Sequence, residues 1–192
     1  VAGEIYFNPS YSHNPLVNAM CVGLVEKDRI ATAAAGTAGH VLLLVGAETG
    51  RDGIHGASGL ASRTFEQETE LRPTVQVGNP FLEKILIESC LEALATGLVA
   101  AMQDLGAAGL TSAAIESVAR GGRGLELDIA QVHRREKGMT GYEVMLSESQ
   151  ERMLLVAKKG REAEVERVFA KWDLHAVRIG RVTGDGVLRV CE

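Results

Sequence analysis

The chain has 192 residues, 46% of them hydrophobic and 23% charged, with a formal net charge of −5. That is one domain's length plus a remainder, with enough apolar residues to bury a core, which excludes a disordered tail, a collagen-like repeat and a disulfide-dense miniprotein. No apolar run reaches the ~20 residues of a membrane helix, no basic-then-apolar leader opens the chain, and an acidic balance offers no basic face to nucleic acid.

In chain order, residues 1–33 carry two strand-like runs, Glu4-Ile5-Tyr6-Phe7 and Ala19 to Val25, around a polar turn from Asn8 to Pro15. The stretch Ala35-Gly36-Thr37-Ala38-Gly39-His40 breaks this pattern, so a domain boundary is expected near Ala34 to Gly39, with 34–192 as the main domain. Val41-Leu42-Leu43-Leu44-Val45 is a continuous apolar run, which predicts a strand buried on both faces. A glycine-punctuated loop follows from Gly50 to Gly59, and the polar residues 62–73 read as an exposed excursion. Asn79 as N-cap, Pro80 at the first helical position and Glu83 in the first turn predict a helix. Its apolar face is Leu82, Ile85, Leu86, Ser89, Cys90 and Ala93, and Gly97 stops it.

Leu98 to Met102 is a short strand candidate, and a second helix is expected from about Thr111-Ser112 to Gly121-Gly122. Leu125 to Ile129 alternates with period two, as a strand with one solvated face does. Met153 to Ala157 predicts another strand, and Glu162 to Trp172 a helix. Ala176 to Val182 and Val187 to Val190 flank Gly184-Asp185-Gly186, a hairpin signal. Strands alternating with helices predict an α+β fold: a three-layer mixed sheet with helices packed on it. Val1 is not an initiator Met, and alternation still runs at Val190, so both ends read as cuts from a longer polypeptide.

Cys21, Cys90 and Cys191 share no close spacing and read as reduced thiols, and His13, His40, His55, His133 and His175 show no zinc-ligand pattern. No P-loop pattern occurs. The loop at 50–59 follows the buried strand, where ligand sites of open sheets lie. It carries Asp52 and His55, and its N–H groups could cradle a phosphate or simply close a turn. Gln103-Asp104 places an amide and an acid at a strand end. Asp104 either satisfies its own turn or aims at a hard cation such as Mg²⁺, which takes one or two carboxylates plus phosphates. Glu148, Ser149 and Gln150 stand in a polar run just before an apolar strand, as a solvated loop or a grip on a polar ligand. Gln76, inside Val75-Gln76-Val77, points to water or to a ligand, and period two does not decide which.

Four stretches together resemble one family: Gly50-Arg51-Asp52-Gly53-Ile54-His55-Gly56-Ala57-Ser58, Val75-Gln76-Val77-Gly78-Asn79-Pro80, Gln103-Asp104-Leu105-Gly106-Ala107-Ala108-Gly109-Leu110-Thr111-Ser112, and Leu146-Ser147-Glu148-Ser149-Gln150-Glu151-Arg152-Met153. The chain resembles the synthetase subunit of the small, multi-subunit phosphoribosylformylglycinamidine synthases. The resemblance implies an ATP-dependent carbon–nitrogen ligase of purine biosynthesis, in the cytoplasm. Its substrates would be formylglycinamide ribonucleotide, ATP and glutamine-derived ammonia. It implies a fold like the C-terminal domain of aminoimidazole ribonucleotide synthetase, with residues 1–33 as the tail of a preceding N-terminal domain. It also implies that Gln76, Glu148, Ser149 and Gln150 contact substrate and that Asp104 ligates magnesium, with Asp52 and His55 as further loop contacts. No catalytic residue falls within this chain, because the family's catalytic His and main ATP contacts lie upstream, so the chain alone would be inactive. A glutaminase subunit and a small accessory subunit are the implied partners. Selenophosphate synthetases and hydrogenase maturation proteins share the architecture and stand as alternatives, as does a non-catalytic interaction domain.

Overall fold

The structure, a computed structural model, describes residues 3–13, 18–54 and 76–192. The chain divides into two compact units, Val1–Ile30 and Ala31–Glu192. In the first, the described residues form two short 3-10 turns, Pro9–Tyr11 and Lys27–Arg29, and no strand. The runs 4–7 and 19–25, expected as strand-like, are irregular chain. Ile, Tyr, Phe and Val have strand propensity, but a strand exists only where a second one takes up its N–H and C=O groups. Ile5, Phe7, Met20 and Leu24 accordingly stand exposed.

Among the described residues the second unit holds six strands: β1 (Val41–Gly46), β2 (Val99–Asp104), β3 (Gly124–Asp128), β4 (Arg152–Ala157), β5 (Ala176–Thr183) and β6 (Leu188–Cys191). Its helices are α1 (Pro80–Ala95), α2 (Gly109–Gly121), α3 (Gly141–Leu146) and α4 (Glu162–Lys171). The strands form one sheet in the order β2-β4-β1-β5-β3-β6, antiparallel throughout except for the parallel pair β3 and β6. Strand β1 is central and buried on both faces, as its unbroken apolar run predicts. Leu43 and Val45 pack with Leu86, Cys90 and Ala93 of α1 and with Val165 and Phe169 of α4. Leu42 and Leu44 face the opposite core, with Leu110 and Ala114 of α2 and Val144 of α3. Each such large side chain contributes about 2 kcal/mol on burial, so these two cores hold the three layers together.

The Asn79 cap forms as expected, its side chain accepting from the Leu82 N–H at 3.2 Å. Helix α3 had no counterpart among the expected elements. Its cause is local: Thr140 and Glu143 form a reciprocal capping box that satisfies two orphan N–H groups.

Gly184-Asp185-Gly186 does not join neighbouring strands. The chain does reverse there, but β3 lies between β5 and β6. Gly124, at the start of β3, makes room for the crossing: a Cβ there would lie 2.5 Å from the Val187 carbonyl oxygen and 2.6 Å from Asp185 Oδ1. The Leu125 N–H donates to that Val187 carbonyl at 3.0 Å. Glycines in a turn thus report a change of direction, not the identity of the neighbour. Strand β2 extends the strand expected at Leu98 to Met102 as far as Asp104. It is an edge strand paired only with β4, Ala101 alone among its residues is buried, and Asp104 at its end is exposed.

Candidate functional site

Three strand ends meet on one side of the sheet. Strand β1 runs out at Gly46 into residues 47–53, β2 runs out at Asp104 into 105–108, and β4 is entered from 147–151. In register, Gly46 pairs with Arg152 and Asp104 with Met153. Glu151 adopts a left-handed conformation, φ +55°, and its carbonyl accepts the Ala47 N–H at 2.9 Å. A Cβ on Gly46, itself at φ +103°, would collide with that carbonyl, so only glycine fits there.

Beneath the loops lies Arg152, 3% exposed. Its Nε donates to the Ser149 carbonyl at 2.9 Å, Nη2 to the Ser147 carbonyl at 2.6 Å and Nη1 to Thr49 Oγ1 at 2.9 Å. All three acceptors are neutral. Burial pushes the guanidinium down to about 10, and the nearby Asp52 charge works the other way, so Arg152 stays cationic at neutral pH. Ser147 Oγ donates to the Gly50 carbonyl at 2.6 Å, while Ser149 Oγ accepts the Gly50 N–H at 2.9 Å and donates to Asp52. Asp52 also accepts from Arg135 Nη2 at 2.8 and 2.9 Å. Burial alone would raise the Asp52 carboxyl, but the hydrogen bonds from Arg135 and Ser149 outweigh it and hold the group below its ordinary value. Arg51 meets Glu143 at 2.6 Å and Glu136 at 3.1 Å, tying the same loop to α3 and to the segment before it.

Glu148 is buried, and both carboxylate oxygens are engaged. Oε1 accepts the Ala108 N–H at 3.1 Å, and Oε2 accepts from Gln76 Nε2 at 2.6 Å. Ala108 is left-handed, φ +60°, and immediately precedes α2, so the carboxylate lies at the positive end of that helix. Gln150 Nε2 donates to the Glu148 carbonyl at 3.0 Å. A cavity of about 360 Å³ lies between α1 and the β2–β4 edge, with Asp104, Gln150 and Glu151 at its polar side and Leu86, Leu91 and Met102 at its apolar side. Cys90 also lines it, but burial, reinforced by Glu83, pushes its thiol up to about 12, leaving a packing group rather than a nucleophile.

The fold therefore joins Gln76 directly to Glu148, joins Ser149 to Asp52, and places Asp104 and Gln150 on one cavity. No hydrogen bond links Asp104 to Gln76 or Glu148. Asp52 and Ser149 face protein partners, and His55 lies outside the described residues. Sequence reasoning did not single out Arg152, Gly53 or Arg135. The one signal available was an arginine opening an otherwise apolar strand directly after a polar run.

A six-stranded mixed sheet covered on both faces by helices, with polar loops gathered where its central strands end, defines a three-layer α+β domain. Residues 37–191 match AIR synthase related protein, C-terminal domain, and the chain belongs to that family. Over all 192 residues it is 61% identical to phosphoribosylformylglycinamidine synthase subunit PurL of Thermomicrobium roseum, of which it covers 26%. It spans about a quarter of the length of the curated relatives it matches. Among solved structures it is similar to T. maritima PurL complexed with FGAR, with TM-score 0.80 and 38% identity over 86% of this chain and 27% of that one. The same T. maritima protein complexed with ATP gives TM-score 0.74 and 35% identity, covering 87% and 25%. E. coli HypE, a hydrogenase maturation protein, gives TM-score 0.59 at 18% identity, covering 85% of this chain and 49% of that one, a likeness of fold alone.

Proposed function

We propose that this chain is the ribonucleotide-binding part of a phosphoribosylformylglycinamidine synthase. The whole enzyme would convert formylglycinamide ribonucleotide (FGAR), ATP and glutamine-derived ammonia to the amidine, ADP and phosphate, in the cytoplasm. Residues 1–33 would be the tail of a preceding N-terminal domain and 34–192 the C-terminal domain. The ammonia would come from a glutaminase subunit, with a small accessory subunit in the complex. The observation that carries this reading is the likeness, along the full chain, to subunits of that name.

The chemistry suits the site. Activating an amide oxygen by phosphoryl transfer asks a protein for positioning and charge neutralisation more than for covalent work. Gln76, Glu148, Ser149 and Gln150 would form the substrate side, Gln76 and Gln150 toward the ligand and the buried Glu148 and Ser149 holding the site's shape from behind, Ser149 alongside Asp52. ATP would bind mostly outside this chain. Asp104, an exposed carboxylate without a partner among the described residues, fits a magnesium ion as one ligand. No group of three or more His, Cys, Asp or Glu among those residues could hold a metal by itself, and Mg²⁺ ordinarily completes its shell with waters and substrate phosphates. Bound magnesium would offset phosphate charge. Asp104 itself supplies a fixed anion on the last residue of a strand.

The test is a calorimetric titration of FGAR with Mg²⁺ into the full-length polypeptide, comparing wild type, Gln76→Ala and Asp104→Ala. Gln76→Ala should weaken FGAR roughly tenfold, as loss of one site hydrogen bond does. Asp104→Ala should abolish the magnesium dependence. Equal behaviour of all three proteins would remove this reading.

A further inference from the structure

We infer that Glu148 is a positioning residue, fixing the amide of Gln76 so that its carbonyl oxygen faces the ligand, and that the ligand donates a hydrogen bond to Gln76 Oε1. This rests on the ribonucleotide-binding reading above and specifies which chemistry the site recognises.

Glu148 is 4% exposed, and donors occupy both of its oxygens, the Ala108 N–H on Oε1 and Gln76 Nε2 on Oε2. Gly53 closes the remaining side. At φ +62° it lies so near that a Cβ would stand 2.6 Å from Glu148 Cβ, 2.8 Å from Glu148 Oε2 and 3.1 Å from Gln76 Nε2. Where a single methyl does not fit, a ligand atom does not fit either. The carboxylate is therefore walled in by a helix start, a glycine and an amide.

Gln76, by contrast, is exposed. A carboxylate accepting on both oxygens can meet only the NH₂ end of an amide. The C=O end of Gln76 is thereby turned away, and Oε1 has no partner among the described residues. A free glutamine would present either end. Here a buried acid selects one, and the incoming molecule meets an acceptor. The complementary ligand groups are amide N–H or hydroxyl donors, which a ribonucleotide bearing an amide supplies and a bare phosphate dianion does not.

Reversing the pair tests this. In Glu148→Gln, the new amide still accepts the Ala108 N–H but turns its own NH₂ to residue 76. Gln76 must then flip, presenting a donor to a donor, and FGAR affinity should fall roughly tenfold or more. In the double variant Gln76→Glu with Glu148→Gln, the amide donates to the carboxylate, whose second oxygen faces outward as an acceptor. Affinity should return to within about threefold of wild type, given that an acceptor is again presented. The measurements are calorimetric titrations of FGAR into the full-length polypeptide, with melting curves to establish that each variant folds. A ligand-free arm follows the Gln76 side-chain amide protons by NMR, which should be protected from exchange in wild type and lose that protection in Glu148→Ala.

A double variant as weak as Glu148→Gln would mean that the ligand needs the Glu148 charge itself, overturning the proposal. Glu148→Gln binding as tightly as wild type would overturn it equally. Wild type that ignores FGAR while its Gln76 amide stays protected would sink the functional reading, and the ligand half of this inference with it. Unprotected Gln76 protons in a wild type that binds would sink the positioning half alone.

Discussion

Segment 147–152 and Asp104 occupy the same end of the sheet on adjoining strands, yet they sit in opposite surroundings. Ser147, Glu148, Ser149 and Arg152 are buried and bonded to loops from two other strand ends. Asp104 is exposed, and its carboxylate has no partner among the described residues. A buried guanidinium or carboxylate is costly unless its hydrogen-bonding groups are used, whereas a solvated carboxylate is cheap to hold and open to a cation. On the proposed reading the buried segment shapes the site, and the exposed Asp104 and Gln76 are among the residues that would touch what enters it. Polar residues gathered at one end of a sheet can thus divide between buried support and open surface, and burial tells them apart.

The largest test of this division is Arg152→Met. It would leave the Ser147 and Ser149 carbonyls and the Thr49 hydroxyl without their donor, and should cost about 3 kcal/mol, partly offset by relief of a buried charge. Urea unfolding measures it, and a loss below about 0.5 kcal/mol, the scale of ordinary surface changes, would erase the contrast.

A smaller effect is expected at Glu143, whose carboxyl is held at about 2 by the Arg51 guanidinium first and the Thr140 N–H next. Its folded value lies below the unfolded one, so its stabilisation is present above the unfolded value and lost as pH falls through the folded value. Wild type should exceed Glu143→Gln in stability near neutrality, with the gap narrowing below about pH 4.5 and closing near pH 2. Urea midpoints of the two proteins across that range would reveal it. A gap indifferent to pH would assign the loop's anchoring elsewhere.

The smallest change in stability belongs to Asp104→Asn, within about 0.5 kcal/mol. The same variant in the full-length polypeptide should require far more magnesium for turnover. Unfolding curves and a magnesium titration of activity check the two halves separately, and a strongly destabilised Asp104→Asn would place that residue with the supporting group.

Much of this organisation was legible along the chain. Val41 to Val45 announced a doubly buried strand, and Asn79-Pro80 with Glu83 marked the start of α1, because both signals are local. The strand-like runs at 4–7 and 19–25 failed because propensity supplies no partner. The Gly184-Asp185-Gly186 turn was real, but the strand inserted beside it comes from Gly124–Asp128, far away in sequence. The Thr140-x-x-Glu143 signature of α3 was available and went unread. Gln76 stood out as a polar residue between valines, yet what it meets, Glu148, lies 72 residues further along the chain and is brought to it only by the tertiary fold. For the same reason Arg152 passed as the last letter of a polar run, although its three bonds hold the loops in place.

The central position of β1 has a consequence for how the domain comes into being. Its ladder partners on either side, Arg152–Ala157 and Ala176–Thr183, are synthesised only after α1, α2 and α3. Until then Leu42, Leu43, Leu44 and Val45 form an apolar segment with neither edge paired, the kind of stretch that chaperones hold and that aggregates when left unattended. The strand that anchors both cores in the finished domain is thus a liability while the chain is being made.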